Sequence, residues 1–164
     1  MKTQIALFLF CSIFISCSHS TAPAVTSDMN LTFSYGVQAR NVLNTFQNTF
    51  TKDLISAGDT TVPFIVSADD LNQILQKMNE INFFAYPDTF IVPTGDTVTT
   101  VMPFDTYYFD VKYKSSNKRL YWRDAIMNEN SQAIKLRELI TFIEGIIQAN
   151  PEYSKLPPAK GGYQ

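Results

Sequence analysis

YYFDVKYKSSNKRLYW, residues 107–122, decides how this chain folds. Tyr107, Phe109, Val111 and Tyr113 alternate with Tyr108, Asp110, Lys112 and Lys114. Side chains on a strand point to opposite faces in turn, so this period of two describes a strand with one buried and one wet face. The polar run Ser115-Ser116-Asn117-Lys118 then predicts a turn, and Leu120 and Trp122 return to the core side. The stretch reads as an antiparallel hairpin, the kind of sheet that can leave one face in water.

Downstream the period changes from two to 3.6. Leu136, Leu139, Ile140, Ile143, Ile146 and Ile147 form a helical stripe, with Ser131 or Asn130 as its cap and Pro151 beyond its end. Upstream lies a second stripe, Leu71, Ile74, Leu75, Met78 and Ile81. Ser67 is placed to cap it, and Asp69 and Asp70 suit the positive end of its dipole. Before that helix, Leu31, Phe33 and Tyr35 alternate up to Gly36, and Thr60 to Val66 is a strand whose Pro63 predicts an edge or bulge. Between them runs NTFQNTFTKD, residues 44–53, with Asn-Thr-Phe repeated at a spacing of four. Its Thr and Phe content favours one strand. Phe46, Phe50 and Leu54 would face inward, and Thr45, Gln47, Thr49, Thr51 and Asp53 outward. The echo is then an alternating pattern with two aromatic anchors. Phe90 to Val92 and Val98 to Met102 add β character around a turn at Thr94-Gly95-Asp96. The order β-β-β-α-β-β-β-α predicts an α+β fold, a mostly antiparallel sheet with two helices packed on one face.

The first residues carry a different signal. Lys2 precedes an apolar run from Ile5 to Ile15, and small polar residues follow. The run is shorter than the ~20 residues a spanning helix needs, and with its flanks it reads as a secretory signal peptide, residues 1–16. Phe14-Ile15-Ser16-Cys17 resembles the lipobox of bacterial lipoproteins, with Phe14 standing where that pattern has Leu or another aliphatic. The resemblance implies that Cys17 is the lipid attachment site and the new N-terminus, holding the protein to a membrane of the cell envelope. Cleavage near Ser18-His19-Ser20 or Ala22-Pro23-Ala24 would instead give a soluble secreted or periplasmic protein. Residues 17–29 read as a flexible linker and residues 30–164 as a single domain.

Composition then excludes much chemistry. Both cysteines and the single histidine lie within the first nineteen residues. The domain therefore holds no Ser-His-Asp or Cys-His machinery and no site built on imidazole or thiolate. No cofactor motif and no metal site is read from the chain. Thirteen basic against fifteen acidic residues leave no basic stripe, so nucleic acid is not an expected partner. Asp88, Asp96, Asp105 and Asp110 gather in one β-rich region and offer carboxylates.

TFTKDLI, SADDLNQILQKMNEI, ELITFIEGII and EYSKLPPAKGGY together resemble small, uncharacterised envelope lipoproteins of bacteria. The resemblance implies an envelope location and carries no catalytic or binding residue with it. Two functions remain. One is a non-enzymatic binding or structural module for another envelope protein or a surface polymer, with Tyr108, Tyr121 and Trp122 as the first aromatics for its surface. Trp122 can equally be core. The other is a carboxylate-dependent hydrolase acting on glycans, which needs two carboxyls facing each other ~5–10 Å apart.

Overall fold

Residues 27–94 and 99–163 are described by a computed structural model. The hairpin of the opening stretch is its longest β unit: β6 (Thr100–Tyr113) pairs antiparallel with β7 (Ser116–Ile126), setting Tyr107 against Trp122 and Phe109 against Leu120. Its turn is tighter than the sequence suggests. Tyr113 pairs with Ser116, so only Lys114 and Ser115 form the loop, with Lys114 at a φ of 54°. Ser116, Asn117 and Lys118 belong to the strand: Asn117 is on its wet face, and Lys118, opposite buried Val111, is polar because its ammonium donates to the Tyr86 carbonyl and Asp88.

The remaining strands are β1 (Met29–Tyr35), β2 (Asn41–Asn44), β3 (Thr49–Asp53), β4 (Asp59–Pro63) and β5 (Thr89–Phe90). They build one seven-stranded sheet in the order β4-β3-β2-β1-β6-β7-β5. Every pairing is antiparallel except β5 with β7. Pro63 lies in edge strand β4, where its missing donor does least harm. Helices α1 (Ala68–Glu80) and α2 (Ser131–Ala149) complete the α+β fold, and the short α3 (Pro151–Ser154) follows.

One strand becomes two, which corrects both the strand count and the facing of the echo. Asn44 ends β2, residues 45–48 turn, and Thr49 begins β3. Four strands therefore precede α1. Asn44 drives the turn by accepting a hydrogen bond from the Gln47 amide at 3.2 Å, and Asn48 takes a φ of 52°. Asparagine tolerates this left-handed region and mimics a backbone turn with its side chain. Phe50 is fully buried, but Phe46 sits on the turn and is 46 % exposed. Thr45, expected outside, is only 7 % exposed: its Oγ1 accepts a hydrogen bond from the Leu31 amide at 2.8 Å.

The helices cap as their sequences imply. Ser67 Oγ accepts from the Asp70 amide at 3.0 Å, and Asn130 rather than Ser131 caps α2, accepting from the Gln132 and Ala133 amides. Ile74 and Met78 of α1 and Leu136, Leu139, Ile140, Ile143 and Ile147 of α2 share one core with Leu31, Phe33, Phe109, Val111 and Leu120 of the sheet. Burying an aliphatic or Phe side chain contributes ~1.5–3 kcal/mol, so this layer supplies most of the driving force. The C-terminal tail is fastened: Lys160 bridges to Ile55, and the Tyr163 hydroxyl donates to Asp53, which Arg40 also holds at 3.5 Å.

Candidate functional site

Because both helices lie on one side, the other face of the sheet is left to solvent. Cross-strand partners share a face, and their registers trace a row over all seven strands: Thr61, Thr51, Val42, Ser34, Tyr108, Tyr121 and Thr89. All are at least partly exposed, and all but Val42 carry a hydroxyl. Thr51 and Thr61 already share a hydrogen bond of 2.8 Å. Strands lie ~4.8 Å apart, so six intervals give the row a reach of ~30 Å. Tyr108 and Tyr121 stand side by side at the centre of its right half as a cross-strand aromatic pair.

The third predicted aromatic is not there. Trp122 pairs with Tyr107 on the helix side and is 1 % exposed, its ring 5.5 Å from those of Phe90 and Tyr107 and 5.3 Å from the Arg137 guanidinium. The period of two that places Tyr121 outside necessarily places Trp122 inside. Cys17 lies outside the described residues, as does Asp96.

One hollow of about 390 Å³ is lined by Thr89 and Tyr121 of the row itself, with Phe90, Trp122 and Arg123 among others. Two more lie beside the row. The first, about 470 Å³, is lined by Phe46, Asp88, Asp110, Lys112, Asn117 and Arg119. It brings together two of the four carboxylates, but each has a cation: Lys118 Nζ lies 2.7 Å from Asp88 and Arg119 Nε 3.3 Å from Asp110. The second hollow, about 270 Å³, lies where Phe104, Thr106 and Arg123 meet Met102 and Tyr163, with Arg123 stacked 4.7 Å over the Phe104 ring.

Asp105 points the other way. The Tyr107 hydroxyl donates to it at 3.3 Å, and Glu144 of α2 is close enough to feel its charge. Burial, then Asp105, raises the Glu144 carboxyl above its usual range. Burial likewise raises the phenols of Tyr107, aided by Asp105 and Glu144, and of Tyr35, aided by Tyr153 and Glu144. These groups form a polar seam under α2 rather than a cleft.

Sequence reasoning missed the hydroxyl row and the part of Phe46 in the first hollow. Alternation gives each strand its outer residues, yet the row needs the pairing of β1 with β6, strands that lie some seventy residues apart. Phe46 could have been found from the two asparagines that make its turn. Among the described residues no group of three or more His, Cys, Asp or Glu is placed to hold a metal, and no helix is long and apolar enough to cross a membrane. No family model, curated protein or solved structure matches this chain.

Proposed function

We propose that this chain is an exported protein, held to the bacterial envelope through a lipid on Cys17, that binds an extended surface polymer on its open sheet face without transforming it. One observation carries the reading: the hydroxyl row with Tyr108 and Tyr121 paired on β6 and β7. Each hydroxyl both donates and accepts, which suits a ligand that is itself rich in hydroxyls, such as a glycan. Tyrosine adds a flat apolar face with a polar tip. A reach of ~30 Å over a face with shallow hollows favours a chain laid across the strands over a small molecule in a pocket. The signal peptide, the lipobox-like Phe14-Ile15-Ser16-Cys17 and the likeness to envelope lipoproteins support the location.

The hydrolase reading rests on Asp88 and Asp110 in one hollow. Each of the two is engaged by its own cation, Asp88 by Lys118 at 2.7 Å and Asp110 by Arg119 at 3.3 Å, whereas glycoside cleavage needs two carboxyls free to face the scissile bond, which favours binding.

Co-sedimentation of the purified protein with insoluble envelope glycan tests the proposal. Tyr108→Ala/Tyr121→Ala should lower retention at least ~10-fold, the scale of losing interface anchors, with an unchanged melting temperature. Retention equal to wild type overturns the binding face. Release of soluble sugar by the wild type, abolished by Asp110→Asn, replaces binding with hydrolysis. Cys17→Ala should move the protein from the membrane fraction to the soluble one, and a wild type unlabelled by a palmitate analogue would refute the anchor.

A further inference from the structure

Four arginines stand in the chain, and three of them are paired. Arg40 lies 3.5 Å from Asp53, Arg119 3.3 Å from Asp110 and Arg137 2.6 Å from Asp124. Arg123, exposed on the open face of the sheet, makes no ion pair among the described residues. Its place in the register gives that absence weight. The Tyr108–Tyr121 pair has a neighbouring pair on either side along β6 and β7. Toward the hairpin turn it is Asp110–Arg119, whose charges cancel. Away from the turn it is Thr106–Arg123, where nothing cancels the guanidinium. A net positive charge thus stands two residues, ~7 Å, along the strand from the paired tyrosines.

Arg123 also borders two hollows at once. One, about 390 Å³, includes Thr89, Ile91, Tyr121 and Ile126 in its lining, and the other, about 270 Å³, includes Gln38, Met102, Phe104 and Thr106. Among the described residues, no acidic side chain lines either hollow, and Arg123 is the only charged one in both. Ile91 and Met102 are 73 % and 78 % exposed, so each hollow has an apolar wall near the cation. The guanidinium lies 4.7 Å over the Phe104 ring. Stacking of this kind occupies the flat face of a guanidinium and leaves the N–H donors of its edge for a ligand. A cation kept only to solvate the surface needs neither a ring beneath it nor two acid-free hollows beside it.

We infer that Arg123 binds an oxyanion and that the polymer on the open sheet is an acidic glycan bearing carboxylate or phosphate groups, a conclusion that rests on the glycan-binding reading of that face. Arginine's rigid fork matches the paired oxygens of either group. Tyr108 and Tyr121 meet the apolar faces of the sugar rings, and Arg123 meets the charged substituent one step along the strands. The walls at Ile91 and Met102 displace water around that contact and so strengthen it. The chain as a whole carries a formal charge of −2, so long-range attraction does not supply the preference for an anion. A local contact does.

Co-sedimentation with insoluble envelope glycan, used untreated, carboxyl-amidated or treated with hydrofluoric acid, tests the assignment. Amidation neutralises carboxylates, and hydrofluoric acid cleaves phosphodiesters. Wild-type retention should fall at least ~10-fold on one of the two treated materials, the scale of one hydrogen bond to a charged group, and the effective treatment identifies the anion. Arg123→Gln should show the same ~10-fold loss on untreated glycan, with its fold intact by circular dichroism, and no further loss after treatment. Lys135→Gln removes one positive charge from the exposed side of α2 and should be retained as wild type is. Wild-type retention unchanged by both treatments overturns the acidic ligand and leaves a neutral glycan on the sheet face. Arg123→Gln equal to wild type, a further loss by that variant after treatment, or an equal loss in Lys135→Gln overturns the role of Arg123. A wild type not retained even by untreated glycan removes the sheet-face reading, and the role of Arg123 falls with it.

Discussion

Two hairpins flank β1, and they close in different ways. β6–β7 is long, crosses over at Lys114-Ser115 and buries every second residue along its middle. β2–β3 pairs over only three positions and closes through four residues, one of which, Thr45, is almost as buried as the strands. The long hairpin is held by its ladder and by the core beneath it. The short one is held by its turn. Asn44 accepts from the Gln47 amide, while the Thr45 amide donates to the Leu31 carbonyl at 2.9 Å and Thr45 Oγ1 receives the Leu31 amide in return. Thr45 thus extends the β1–β2 ladder by one rung made partly from a side chain. Where strands are short, turn chemistry and not alternation decides which residues are inside.

The largest test of that difference compares the two phenylalanines of the repeated tripeptide. Phe50 is enclosed by Phe64 at 5.2 Å and Tyr153 at 5.7 Å between ring centres, so Phe50→Ala should cost ~3–5 kcal/mol. Phe46→Ala, on the turn, should stay within ~0.5 kcal/mol, as surface substitutions do. Equal losses in a denaturant titration would show that the echo is a single strand after all.

Thr45 against Thr49 gives the next effect. Thr45→Ala leaves the buried Leu31 amide without an acceptor, which should cost ~1–3 kcal/mol. Thr49 is half-buried on the open face, so Thr49→Ala should cost no more than ~0.5 kcal/mol. Hydrogen exchange sharpens the reading: the Leu31 amide should lose protection in Thr45→Ala and keep it in Thr49→Ala.

These residues also show how far the sequence can be read. Both helices, their caps and stripes, the edge role of Pro63 and the inward residues of β6 and β7 were legible, because each depends on neighbours within one or two turns. The echo was misread because a spacing of four satisfies a strand and a turn equally, and Thr and Phe content was weighed above Asn. Tyr108 and Tyr121 were legible as outer aromatics, whereas Trp122 lost its surface role to the same alternation. The row joining Tyr108 to Ser34 and Thr51 was not legible at all. It depends on β1 settling between β2 and β6, a long-range choice made by the core and not by local pattern.

The smallest effect concerns the closing residues themselves. Lys114 and Asn48 both hold positive φ, 54° and 52°. Asparagine accepts that region with little penalty, whereas a lysine side chain is strained there by ~1 kcal/mol or more. Lys114→Gly should therefore stabilise the protein by up to ~1 kcal/mol, less what the chain loses through glycine's freedom when unfolded. Asn48→Gly should change stability by no more than a few tenths of that, since its residue already fits. The Lys114 ammonium also lies 5.0 Å over the Tyr113 ring, and loss of that contact offsets part of the gain. Thermal melts of both variants decide the matter. A larger gain at Asn48 than at Lys114 would mean that the short hairpin, not the long one, stores the strain of closure.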